Sequence, residues 1–156
     1  MIEMLIVMAI IAILALLAAP SFQDQIVRDQ INTALPLADI AKKPVAASWA
    51  EFERLPANNA AAGLPSADKI VSNHISSVLV QNGALHVTFG NRANGVITGK
   101  TLSLRPAVVE DAPVVPVAWV CGNAEPPDKM TVKGVNKTNI PAGYLPFICR
   151  ARGQKN

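Results

Sequence analysis

Histidine is almost absent from this chain. The only two, His74 and His86, share no ligand-like spacing with each other or with Cys121 and Cys149. A zinc site needs three or four such groups at characteristic separations, so no metal and no cofactor is expected. The sequence also lacks a glycine-rich phosphate loop, a nucleophile elbow and a paired-carboxylate signature. Glu110-Asp111, just before Pro113, reads as a solvated turn rather than an acid/base pair. Aromatic residues are few, with two Trp, one Tyr and four Phe among 156 residues, which leaves little to stack on bases. Together these absences argue against an enzyme.

What is present is concentrated at the start. Residues 4–19 are sixteen apolar residues in a row, with one acid, Glu3, set just before them. As a helix that run is roughly 24 Å long. A bilayer core is ~30 Å thick and a spanning helix usually has ~20 apolar residues. Met1, Ile2 and Phe22 bring the segment close to that length. Three readings compete. A secretory signal peptide would end in a small-residue cleavage site, which Ala18-Ala19 could mimic, but an acid stands where positive charge belongs. A plain membrane anchor gains nothing from Glu3, because drawing a carboxylate toward the lipid centre costs on the order of 2–3 kcal/mol. The third reading gives the acid a partner: the helix leaves the membrane to pack with copies of itself, and Glu3 finds a positive group on a neighbour.

The order of an acid, an unbroken apolar run, Pro20 and then polar Gln23-Asp24 resembles the N-terminus of a mature type IV pilin, of the type IVa major class. Members of that family carry a short basic leader ending in glycine, followed by an aromatic residue whose amine becomes methylated. By that resemblance this chain begins about two residues inside the mature protein. The resemblance implies that Glu3 neutralises the N-terminal amine of an adjacent subunit during assembly, and that the segment just before Pro20 unwinds in the fibre.

Beyond the run, Val27, Ile31, Ala34/Leu35, Ala38, Ala41, Val45, Trp49 and Phe52 recur at steps of three or four. This is the apolar stripe of an amphipathic helix, with charged residues between its members. Pro20, Pro36 and Pro44 each remove a donor and crowd the preceding turn, so bends are expected at Pro20 and near Pro36 or Pro44. The long helix should occupy residues 1–54, with 1–22 as the membrane or fibre-core segment. A helix of that length is ~80 Å long, so half of it must protrude. Residues 55–74, rich in small and turn-forming types, form a linker.

Residues 75–156 should hold an antiparallel sheet and a C-terminal loop. Residues 75–81 and 84–89 read as strands joined by Asn82-Gly83, a turn that favours positive φ. Residues 101–105 alternate with Leu102 and Leu104 inward, and 114–120 supply a fourth strand, which Pro113 and Pro116 mark as an edge or as irregular at its start. Strands following one long helix define an α+β fold: a long N-terminal helix, half protruding and half amphipathic, packed on a four-stranded antiparallel sheet.

Cys121 and Cys149 read as one disulfide, as suits an even pair in an exported chain; a reactive or metal-binding thiol pair would lack nearby histidine. Closing such a loop contributes about 3.5 kcal/mol in the chain-entropy model. That suits a proline- and glycine-rich segment with little periodicity. The end of the chain again resembles the disulfide-closed loop of type IV pilins. Past Cys121 there are six cations (Lys129, Lys133, Lys137, Arg150, Arg152, Lys155) against two acids, Glu125 and Asp128, while the whole chain carries only +3. Asn136-Lys137-Thr138 fits a glycan-acceptor tripeptide, a pattern short enough to arise by chance.

The functional expectation is a structural subunit that polymerises into a type IV pilus through its N-terminal helix. It would be anchored in the inner membrane and handled by assembly machinery before it becomes part of an extracellular filament. Adhesion to host or abiotic surfaces, twitching motility and DNA uptake would be the uses of such a fibre. One alternative is a minor pilin that captures DNA, with Lys129, Lys133, Lys137, Arg150 and Arg152 neutralising phosphates. Another is a pseudopilin of a type II secretion system, which the disulfide-closed tail disfavours.

Overall fold

The computed structural model describes residues 1–154, the side chains of residues 18–21 excepted. A single helix, α1 (Ile2–Phe52), opens the chain and at 1.5 Å per residue is about 76 Å long. It continues through Pro36 and Pro44 without interruption. It ends where Glu53 turns left-handed (φ 50°) and donates its N–H to the carbonyl of Trp49 at 2.9 Å. Ser48 Oγ, one turn back, donates to the carbonyl of Arg54 at 2.7 Å and ties the exit down.

The sheet follows, with strands β1 (Ile75–Gln81), β2 (Ala84–Phe89), β3 (Thr101–Val108), β4 (Ala118–Cys121) and β5 (Thr131–Val132). All pairings are antiparallel, in the order β1-β2-β3-β4, with β5 added beside β3. The β1–β2 hairpin turns on Asn82 and Gly83, both at positive φ (48° and 83°), the conformation a two-residue turn needs for the natural strand twist. Glycine is further required at 83 because a Cβ there would lie 2.8 Å from Leu55 Cδ1.

One face of the sheet packs on α1. Val27, Ile31, Ala34, Ala38, Ala41 and Val45 are buried in one cluster with Val78, Val80, Leu85, Val87, Phe89, Leu102 and Leu104, and Trp49 is buried one turn further on. Alanines recur along the helix at the contact, so its axis lies close to the strands. Phe52 departs from the expected stripe: it is 70% exposed, because the helix overruns its packing partners in its last turn.

Strand β3 is longer than its alternation suggested and carries Pro106 in its interior. The Pro106 carbonyl accepts the N–H of Lys133 at 2.8 Å. A residue's N and C=O point to the same side of an antiparallel strand, so the missing donor faces the region beyond the end of β2, away from β4. The fourth strand is shorter than expected, beginning at Ala118 rather than Val114. Residues 113–117 instead form a bend between Pro113 and Pro116, which remove the donors a strand would need. β4 does lie at the end of the strand order.

At the other end of that order, the free edge of β1 is occupied by a side chain. Buried Asn59 accepts the N–H of Val80 through Oδ1 at 2.7 Å, and its Nδ2 donates to the carbonyl of Val78 at 3.0 Å. It also donates to the carbonyl of Pro65 at 3.0 Å, so the connecting loop closes over the strand. The opposite sheet face is covered by a strap, residues 133–139, running back from β5. Here Gly134 passes so close to β2 that a Cβ would sit 2.6 Å from the Cβ of Ala84.

Candidate assembly surface

Helix α1 divides into two environments. From Ile2 to Leu17, twelve Ile, Leu, Val and Met side chains stand between 50 and 75% exposed, in a helix long and apolar enough to cross a membrane. Fully burying such a side chain stabilises by roughly 1.5–3 kcal/mol, so this surface represents a driving force on the order of 20 kcal/mol for entering lipid or packing with other helices. Phe22 and Ile26 extend it on the exposed side. Glu3 lies in the first turn, exposed, and forms no ion pair among the described residues. The positive end of the helix dipole favours a carboxylate there, and its position leaves it facing whatever surrounds the apolar helix. The expected kink at Pro20 falls on a side chain outside those described.

The C-terminal segment is fastened back onto the fold. Cys121 and Cys149 are joined, with S–S at 2.02 Å. Arg28, at the start of the buried half of α1, donates from Nε and Nη2 to the carbonyl of Gly143 at 2.9 and 2.6 Å. Asn123 N–H reaches the carbonyl of Cys149 at 3.0 Å. The segment contains β5 and two short 3-10 turns, Ala142–Tyr144 and Phe147–Cys149, more regular structure than its proline content suggested.

A family model described as pilin, a bacterial filament protein, matches residues 27–150. The chain belongs to the pilin family. It is 34% identical over 159 residues to a fimbrial protein of Neisseria meningitidis, covering 96% of this chain and 91% of the relative. It is also 34% identical over 157 residues to the type IV major pilin protein PilE of Neisseria gonorrhoeae, with the same coverage. A fimbrial protein of Eikenella corrodens, EcpC, is 32% identical over 155 residues, covering 96% of this chain and 88% of the relative. The long helix, antiparallel sheet and Cys121–Cys149 bridge expected from the sequence are all present in this pilin.

The cations proposed to meet DNA are not gathered into one free surface. Lys133 pairs with Glu110 at 2.5 Å and Arg152 with Glu125 at 3.3 Å. Lys137 donates to Gln81 Oε1 at 2.5 Å. Arg150 donates to the carbonyls of Leu145 and Gly143 at 2.9 and 3.4 Å, a bracing role inside the loop. Lys129 forms no ion pair among the described residues, and Lys155 lies outside them. Glu3, at the far end of α1, is remote in sequence from all of these.

Two residues that matter to the assembly of the head were missed in the sequence. Arg28 reads as one more charge on a helix face, and nothing local signals a partner 115 positions away. Asn59 sits in an Asn-Asn pair within a run of small residues, which reads only as a turn.

Proposed function

We propose that this chain is the structural subunit of a type IV pilus, polymerising with identical copies through the outer half of α1. The observation that carries this reading is one helix with two unlike halves, the first exposed, apolar and headed by a single acid, the second buried in its own domain. Before assembly the exposed half resides in the inner membrane. On addition to the fibre it exchanges lipid for sister helices, and Glu3 neutralises the N-terminal amine of a neighbour. In such a dry core a charge pair is far stronger than in water, and a mispaired carboxylate is costly, so Glu3 sets the axial register. Surface adhesion and twitching motility follow as uses of the fibre. DNA capture has less support, since four of the five candidate cations are engaged within the domain.

The test is Glu3→Gln in cells. Filaments should be lost while the subunit still accumulates in the membrane fraction. Wild-type pilus yield from that variant would remove Glu3 from the mechanism. A subunit that never enters a fibre in the unmodified strain would remove the reading altogether.

A further inference from the structure

The outer face of the sheet hides a titratable group with no part in helix packing. His86, in β2, is 3% exposed beneath the strap of residues 133–139. Its Nδ1 lies 2.8 Å from Ser103 Oγ, directly across on β3. That same Oγ accepts the backbone N–H of Lys137 at 2.8 Å. The strap is pinned further just beyond this contact. Thr138 Oγ1 accepts the N–H of Ser103 at 3.0 Å, and Asn139 exchanges hydrogen bonds with Thr101, at 2.7 Å through Oδ1 and 3.1 Å through its N–H.

The direction of the Lys137 bond fixes the others. Ser103 Oγ is an acceptor toward the strap, so its single hydrogen is available to His86, and Nδ1 accepts it. The ring proton then resides on Nε2, which is buried without a hydrogen-bond partner among the described residues. The opposite tautomer would strand both the serine hydrogen and an unprotonated Nε2, leaving two unmet groups instead of one.

We propose that the His86–Ser103 pair is a latch for the strap. The neutral ring holds residues 133–139 against the sheet, and protonation in mildly acid surroundings releases them. Protonated Nδ1 becomes a donor, so Ser103 Oγ faces two donors and its own hydrogen loses its acceptor. The new charge also has nothing to meet. β1, β2, β3 and the segment 131–140 carry Arg105, Lys133 and Lys137 and no carboxylate; Lys133 is already paired with Glu110. Burial first, and the positive charge of Lys137 second, hold the His86 ring below the ordinary histidine range.

The sign follows from that depression. The closed strap keeps His86 neutral, whereas the open form takes up a proton near the ordinary value of ~6.5. Closure is therefore fully favoured above that pH and weakens below it. Between pH 7.5 and 5.5 the opening equilibrium should rise, by up to about tenfold, the ceiling reached when the closed ring takes up no proton. The Cys121–Cys149 bridge keeps a released strap tethered at its base.

The experiment is amide hydrogen exchange on the full chain in detergent micelles at pH 7.5 and 5.5, corrected for intrinsic exchange. The strap amides of Lys133, Lys137 and Asn139 should open more at the lower pH, by up to about tenfold, while the β1–β2 ladder holds. In His86→Gln the strap should lose this dependence. A flat wild-type response, or the same response in His86→Gln, overturns the latch. Nitrogen NMR of the wild-type ring needs no variant. It should show an unprotonated Nδ1 at pH 7.5, with imidazolium appearing only as strap protection falls. A proton on Nδ1 at neutral pH, or a charged ring beneath a protected strap, overturns it equally.

Discussion

The two halves of α1 share a backbone conformation and almost nothing else. From Val27 to Trp49 the helix is defined by what it touches, with one buried residue every three or four positions and a sheet to receive them. From Met4 to Leu17 it is apolar on every side and meets no other element among the described residues. A helix hydrophobic all round belongs in a membrane or in the centre of an assembly. A single stiff rod thus joins a part that is complete in the monomer to a part that is not. Substitutions in the inner half should register as stability of the head, and those in the outer half as assembly.

Chemical unfolding followed by tryptophan fluorescence can separate the two, because both tryptophans, Trp49 and Trp119, lie in the head. Ile31→Ala, at a fully buried position, should cost the head about 4 kcal/mol, within the usual range for large-to-small core changes. Ile11→Ala in the exposed half should change head stability by less than ~0.5 kcal/mol. Equal effects would break the division. Replacing both Cys121 and Cys149 by alanine should cost about 3.5 kcal/mol through the freed loop, with helix content in micelles unchanged by circular dichroism. Asn59→Ala leaves the N–H of Val80 and the carbonyl of Val78 without their partner. Its cost should be about 2 kcal/mol, read from the same unfolding curves and from faster exchange of the Val80 amide.

Much of this was legible in the sequence because it depends on local pattern. The apolar run, the stripe from Val27 to Trp49 and the Asn82-Gly83 hairpin are each a periodicity or a turn chemistry that short windows reveal. The bounds of β1 and β2 followed from that hairpin. The sequence suggests a fourth strand from Val114 because Val114, Val115 and Val117 look like strand residues, whereas the missing donors of Pro113 and Pro116 govern the backbone there. β5 and the strap were invisible for a different reason. Residues 131–139 have no alternation of their own and are held by partners such as Pro106, Ser103 and Thr101, some thirty positions away. The two short turns near Cys149 leave no local signal for the same cause. At the assembly surface, Glu3 and its apolar run were plain, while the cations of the tail looked available only because their partners are distant in sequence.

The amide of Asn59, lodged against Val78 and Val80, has a consequence for how molecules of this kind meet. A strand with bare outer peptide groups invites a second sheet to zip onto it, and such unions are hard to undo. By stopping that seam with a side chain, the head leaves its neighbours no ladder to extend along β1. Cohesion between copies along this edge then has no backbone ladder to use, and the exposed apolar half of α1 is the larger surface left for it.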